Sequence, residues 1–442
     1  MIGTPPSATR NATIVLIALF IALVWPAILW GYNSTSEAYD QDNYHWPVIQ
    51  KMAEQFPHVD VVNYKSATTP GYHLLIAVIV KFLTADERML RLISSMFGLG
   101  LLMVVMALAS RRSGGWTAQA LTAPLLCSSY ILSGSIWLTT DNAAWMFVAL
   151  ALGGAAMVQA TSSRILAGSI FSTLAVLVRQ IHIWVAAPVG LAGLWQWRET
   201  PRDRAHLMVA MATLAVPFAA LAWFVWRWHG LVPPGSVEVL KFHAKGANFA
   251  VIPMTMALFG VFGVFFLPCF GPIDFRRMIT NPWIWAAAAA GLIVSIAVPT
   301  SYSMDAGRWG GAIWLPVQKL PNIADRSIVF PPLAMLGMVI LAHGWQCASR
   351  AGRAREASIL LFGVLCWLTA QSMNSQAWQR YCEPMVLITL AWLASLASSP
   401  VDQPHRPPRR LWLGPALLAA LQLLMCFRTL YFSILTGKTP LP

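Results

Sequence analysis

Long apolar runs alternate with short polar segments along the whole chain. Hydropathy places helical intervals at roughly 13–31, 90–109, 117–134, 143–160, 165–178, 183–198, 207–228, 251–270, 282–300, 329–346, 357–371, 383–397 and 411–434. The pattern predicts an all-α, polytopic integral membrane protein with about thirteen transmembrane helices. Gly71 to Leu83 is apolar but short: at about 1.5 Å per residue it cannot cross a core of about 30 Å. It is expected to lie in the membrane interface, within the first outer loop. The run Thr13 to Trp30 lacks the short core and small-residue cleavage pattern of a removable leader, so it reads as a retained helix. With no repeat of fixed period, 1–442 reads as a single transmembrane domain, with a motif-bearing N-terminal module (1–200) and a C-terminal helical module (201–442).

Composition agrees with the pattern. Hydrophobic residues make up 57% of the 442 and charged ones 11%, too apolar a balance for a soluble domain of this length. The net charge of +13 lies in small groups between apolar runs, with no basic face or stripe, so it argues for topology and against nucleic acid. With Arg10 in the cytoplasm, Arg111/Arg112, Arg164, Arg198/Arg202/Arg204, Arg276/Arg277, Arg350/Arg353/Arg355 and Arg406/Arg409/Arg410 all fall inside. A transmembrane reading of 71–83 would flip every later loop. The opposite loops, Gly31 to Met89, Ser133 to Asn142, His229 to Ala250, Pro299 to Ile328 and Gln371 to Cys382, are then outer. The six cysteines show no CxxC or metal-ligand spacing, and no P-loop, GxGxxG or HExxH pattern occurs.

The candidate chemistry lies in those outer loops. Tyr39-Asp40-Gln41-Asp42-Asn43-Tyr44-His45-Trp46-Pro47 sets two carboxylates beside a His in a chain with few acids. Lys65 and the turn Thr68-Thr69-Pro70-Gly71 follow, then Asp141, Arg179, Gln180 and His182, then Asp305, Arg308, Asp325 and Arg326, and finally Arg380-Tyr381. Carboxylates and arginines on one membrane face suit a substrate with a lipid-borne phosphate and a hydroxyl to be activated. Each residue also has a plainer role open to it. Asp42 could be a solvated loop acid or a cap, His45 could bond a loop backbone, and Asp141 could cap a helix beginning at Asn142. Arg179 could be an interfacial anchor, and Arg380-Tyr381 part of an interfacial belt.

The order of these motifs resembles the polyprenyl-phosphate-sugar-dependent glycosyltransferases of the GT-C superfamily, most closely the dolichyl-phosphate-glucose α-1,2-glucosyltransferases of N-glycosylation. Asp42-Asn43-Tyr44-His45-Trp46-Pro47 and Thr68-Thr69-Pro70-Gly71 are similar to that family's first-loop motifs in order and spacing. The family's Asp-Glu pair falls on Gln41-Asp42, so this chain departs from it at Gln41. Leu90-Arg91, Thr140-Asp141, Val178-Arg179-Gln180-Ile181-His182, Ile323-Ala324-Asp325-Arg326 and Arg380-Tyr381 extend the likeness over roughly residues 12 to 395.

The resemblance implies a GT-C fold and transfer of a hexose, glucose-like, from a polyprenyl-phosphate sugar to a glycan or lipid-linked acceptor, with inversion. Asp42 would be the general base, with Asp40, His45 and Asp141 as its catalytic neighbours. Arg179, Gln180, Arg326, Arg380, Tyr381 and Lys65 would hold the donor phosphate. No cofactor is required, although Asp42 and Asp141 could share Mg²⁺ or Mn²⁺. The donor tail is expected near Pro321 to Pro332. The expected partners are the donor, the acceptor and membrane lipid. Short loops and dense Trp and Arg usage suggest a bacterial inner membrane with a periplasmic site, or the ER lumen in a eukaryote. The alternatives are a mannosyl- or arabinosyltransferase of the same superfamily, or a flippase or transporter for a lipid-linked sugar.

Overall fold

The computed structural model describes residues 6–31, 36–236, 246–271, 275–398 and 412–437. Arg406, Arg409 and Arg410, expected inside, lie outside the described residues. In chain order the helices are α1 (Pro6–Trp30), α2 (Ser36–Asp40), a π turn (Gln41–His45), α3 (Trp46–Glu54), α4 (Gly71–Phe82), α5 (Glu87–Ser113), α6 (Gly115–Leu126), α7 (Ser129–Ile136), α8 (Asp141–Ala156), α9 (Ser162–Val178), α10 (Ala186–Glu199), α11 (Arg204–Ala212) and α12 (Ala215–Trp228). There follow α13 (Val251–Phe266), α14 (Phe275–Thr280), α15 (Pro282–Ala297), α16 (Trp314–Lys319), α17 (Phe330–Arg350), α18 (Ala354–Gln371), α19 (Gln379–Ala397), α20 (Leu413–Cys426) and α21 (Phe432–Thr436).

The protein is all-α and polytopic. Among the described residues five helical stretches, Ser7–Trp30, Glu87–Ser113, Pro201–Trp228, Val251–Phe270 and Leu413–Thr436, are long and apolar enough to cross a membrane. Over the described residues each of the thirteen hydropathy intervals falls mainly on helix, but two are interrupted. The interval 117–134 breaks at Cys127–Ser128 between α6 and α7, where Ser128 is extended, and 207–228 breaks at Thr213–Leu214. Hydropathy sums apolar character and is blind to such breaks.

The chain forms two compact units built from interleaved segments. Unit 1 comprises Met1–Arg10, Val105–Leu125 and Phe242–Ala419; unit 2 comprises Asn11–Val104, Leu126–Lys241 and Ala420–Pro442. In unit 1, α17 packs on α13 and α15. Glycines make that possible: a methyl group on Gly260 would run into the Leu333 carbonyl, and one on Gly337 into the Met256 carbonyl. Small residues let helix backbones approach where lipid-like surroundings give no hydrophobic drive. Near Pro321 to Pro332, where a groove between membrane helices is expected for the donor tail, the chain forms a hairpin before α17 begins at Phe330. Strands β1 (Asn322–Ile323) and β2 (Arg326–Ser327) flank Ala324 and Asp325, both with positive φ, as a two-residue hairpin turn requires.

In unit 2 the stretch between the acidic segment and α5 folds on itself. Apolar residues recur on one face of α3 (Val48, Ile49, Met52, Ala53), and on one face of α4 Tyr72, Ile76 and Ala77 are buried beside His73. Pro47 fits the first turn of α3, where its missing N–H has no partner to lose. The two faces pack together and bury Tyr64, Leu90, Leu138 and Trp228 in one core. This core holds α4, at 12 residues too short to span, together with the loop that carries the acidic motif.

Candidate active site

The acidic segment is helical, and its π turn sets the side chains. Gln41 and His45 point inward and are buried, while Asp42 between them is exposed. Single π turns inside α-helices recur at functional sites because they rotate the following side chains out of the α register. Asp40 is half-buried at the end of α2, and Lys65 is exposed. Tyr44 is held less acidic than a free phenol, first by burial and then by Tyr39 and Asp40.

Gln41 is the hub. Its amide nitrogen donates to Glu87 Oε1 at 2.7 Å and to Asp42 Oδ1 at 3.0 Å. Its amide oxygen accepts from Arg91 Nε and from the backbone N–H of Leu138, both at 3.0 Å. Two donors and two acceptor sites are all an amide has, so this side chain is fully satisfied. Arg91 also pairs with Glu87 one helical turn away and lies over the Trp137 ring at 4.3 Å. Neither Glu87, Arg91 nor Gln41 stands out as a site residue in the sequence. The available signal was the match of Leu90-Arg91 to a family motif, together with Gln41 standing where that family has Asp.

The network stops three residues short of the second acid. Leu138, bonded to Gln41, is three residues before Asp141, which opens α8. Thr140 is the N-cap and Asp141 the first helical residue, so Asp141 does not precede a helix starting at Asn142. Its carboxylate instead pairs with the guanidinium of Arg179, and both side chains are about six-sevenths buried, at 14% and 15% exposure. A carboxylate in a first turn also meets the positive end of the helix dipole.

Arg179 reaches Asp141 because α9 stops at Val178. Arg179 is extended at φ −149°, ψ 116°, and a 3₁₀ segment, Gln180–Val185, follows. Gln180 stitches this corner to the first loop. Its amide nitrogen donates to the carbonyls of Ala67 (2.7 Å) and Leu231 (2.9 Å), and its oxygen accepts from Thr69 N–H (3.1 Å). Thr69 Oγ1 donates to the Val176 carbonyl at 2.6 Å. In the same turn a methyl group on Gly71 would sit 2.6 Å from the Leu177 carbonyl, so glycine is required there. Both N–H donors of Gln180 are thus engaged with backbone, which makes it a positioning residue for Arg179.

Three buried histidines lie in the same unit as these acids. His45 Nδ1 and His73 Nε2 are 2.9 Å apart, with stacked rings. Burial, and then the charge His45 would carry, hold His73 well below the usual histidine range. His182, edge-on to Trp145, is pushed down to about 3 by burial and then by Arg179.

The remaining sequence candidates belong to unit 1. The guanidinium of Arg326 donates to the carbonyls of Ile296 (2.8 Å) and Ala297 (3.3 Å) and to that of Ala324, so it closes the C-terminus of α15. Arg380 lies over the Tyr381 ring at 5.9 Å, and Tyr381 stacks on Trp378. Among the described residues no group of three or more His, Cys, Asp or Glu side chains is arranged to hold a metal ion.

No family profile matches the chain, and no curated protein matches it. Solved structures do. ArnT from Cupriavidus metallidurans in the apo state is 15% identical over 88% of this chain and 78% of its own, with a TM-score of 0.40. The same protein bound to undecaprenyl phosphate gives 14%, the same coverage and 0.39. The archaeal oligosaccharyltransferase AglB from Archaeoglobus fulgidus, in complex with an inhibitory peptide and a dolichol-phosphate, is 12% identical over 94% of this chain and 56% of its own, at 0.47. These are remote likenesses, and the chemistry below rests on this chain's own side chains.

Proposed function

We propose that the protein is a membrane glycosyltransferase that moves a glucose-like hexose from a polyprenyl-phosphate sugar to a hydroxyl of a glycan or lipid-linked acceptor. The observation that carries this reading is the exposed Asp42 carboxylate, held by a fully satisfied Gln41 whose other bonds lead to Arg91, Glu87 and the loop before Asp141. An acid fixed on its inner side and open on its outer side is suited to accept a proton from a bound hydroxyl.

In this reading Asp42 removes the proton of the acceptor hydroxyl as its oxygen attacks the anomeric carbon. The bond from that carbon to the phosphate oxygen breaks, and the phosphate leaves with the electron pair. A single displacement inverts the anomeric configuration. Arg179, oriented by Asp141, meets the departing phosphate, because a guanidinium keeps its charge and offers paired donors. Lys65, in the same unit, is a further candidate for the phosphate. A monophosphate leaving group met by arginine needs no metal. Orientation follows the arginine distribution: the site faces away from the cytosol, on the periplasmic side in a bacterium.

The test is to incubate the purified protein in detergent with a panel of synthetic polyprenyl-phosphate sugars and a membrane glycolipid extract as hydroxyl acceptor, and to follow each donor by mass spectrometry. Consumption of one donor by the wild type and its loss in Asp42→Asn is the expected result. Equal consumption by Asp42→Asn removes the base assignment, and no consumption of any donor overturns the transferase reading.

A further inference from the structure

Unit 1 contains a cavity of about 530 Å³ that the chemistry above does not use. Its size falls within the roughly 300–1,000 Å³ of small-molecule sites. The walls come from residues 246–250, from Ala297 at the end of α15 with Val298, Pro299, Ser303 and residues 305–308 beyond it, and from Ser375 and Gln376. Apart from Ala297 and Val298, these residues belong to loops that the arginine distribution assigns to the outer face.

The walls are tied together before any ligand arrives. Asn248 Nδ2 donates to the carbonyls of Ala306 and Ser375, each at 2.8 Å, and its backbone N–H reaches the Ser372 carbonyl at 2.8 Å. The N–H of Ala377 donates to the Gly307 carbonyl at 2.9 Å. Gly307 has φ +66°, and a methyl group there would collide with the Ser375 carbonyl and stand 3.0 Å from Gln376 Oε1. A cavity ordered in advance binds without the entropy cost of ordering its loops.

Its chemistry is selective. Phe249 is 51% exposed and gives one wall an aromatic face. Asp305 is exposed, and among the described residues its carboxylate has no hydrogen bond or ion pair. Arg308 is turned into the wall through its Nε and Nη2. Its guanidinium is engaged by the Ser301 carbonyl at 2.8 Å, by Ser301 Oγ at 3.1 Å and by Asp325 Oδ1 at 3.5 Å. Gln376 is buried with no donor to its amide oxygen, and its amide nitrogen only approaches Ser375 Oγ at 3.5 Å. The amide oxygen thus keeps an unused acceptor site at the cavity wall.

An aromatic face beside an open carboxylate and an amide oxygen with no donor matches a ring that is apolar on its C–H face and carries hydroxyl donors at its edge. We propose that this cavity binds a neutral hydroxylated ring, a pyranosyl unit. Asp305 and Gln376 accept its hydroxyl protons and Phe249 packs on its face. That the ring belongs to the acceptor rests on the transferase reading; that the cavity binds it does not.

The test measures binding without turnover. Saturation-transfer NMR is run on the full chain in detergent with methyl α-D-glucopyranoside, methyl α-D-mannopyranoside and methyl α-D-galactopyranoside as probes. At least one should bind, and Asp305→Asn, Phe249→Ala and Gln376→Leu should each weaken it by about threefold to tenfold, the scale of one lost hydrogen bond or ring contact. Asp305 and Phe249 are exposed enough for their variants to fold, so the result does not hang on Gln376. Binding that is absent for all three probes, or equal in the wild type and the variants, overturns the proposal. A protein that binds a glycoside but consumes no donor keeps this cavity assignment and loses the transferase reading; the converse result keeps the reading and loses the cavity.

Discussion

The amide oxygen of Gln41 accepts the Nε–H of Arg91 at 3.0 Å, across 50 positions of sequence, and the same oxygen takes the N–H of Leu138. One buried side chain therefore joins the acidic turn, the start of α5 and the loop before α8. Gln41→Leu would leave Arg91 Nε and the Leu138 N–H without an acceptor, at about 1–3 kcal/mol each. A clear fall in thermal midpoint and a loss of donor consumption are expected, and an unchanged midpoint would show that the hub does not hold the site.

Asp42 should behave in the opposite way. Its carboxylate is exposed, and in Asp42→Asn the side-chain oxygen can still accept from Gln41. The thermal midpoint should stay within the range of a surface substitution, about 0.5 kcal/mol, while the transfer rate falls by about 10²–10⁴, the usual weight of a general base. A measurable loss of stability with retained rate would make Asp42 structural.

The Asp141–Arg179 pair combines both kinds of effect. Removing one partner strands a largely buried charge, so Asp141→Leu or Arg179→Met alone should destabilise toward the lower end of about 3–5 kcal/mol. The double variant should recover much of that stability and none of the activity. If each single variant melts like the wild type, the pair is an incidental contact.

Acid sensitivity follows from the histidines. His73 and His182 are held neutral in the folded chain below their ordinary value near 6.5, chiefly by burial. Below about pH 6.5 the unfolded chain takes up protons that the folded chain refuses. Their contribution to stability is thus complete above that pH and shrinks on acidification, by up to about 1.4 kcal/mol per pH unit for each group. The thermal midpoint should drop between pH 7 and pH 5, and His73→Gln or His182→Gln should flatten that slope. A midpoint independent of pH in the wild type would contradict the buried neutral histidines.

The site was partly legible. Asp42, His45, Asp141 and Arg179 stand out because ionisable residues are scarce in so apolar a chain, and all four fall in unit 2. Gln41 and Glu87 did not stand out: an amide or an acid beside a helix looks the same in sequence whether it faces solvent or four partners. Arg326 misleads for the same reason. It looks like a free phosphate ligand until its guanidinium is seen closing the end of α15.

Sequence alone determined the all-α membrane class, the position of nearly every helix and the shortness of Gly71–Phe82, because hydropathy and run length are local properties that no distant contact alters. Only the tertiary structure decided which polar groups meet. The π turn at Gln41–His45, the break after Val178 and the loops pinned by Asn248 are set by partners scores of residues away, and hydrogen bonds at that range leave no period in the chain.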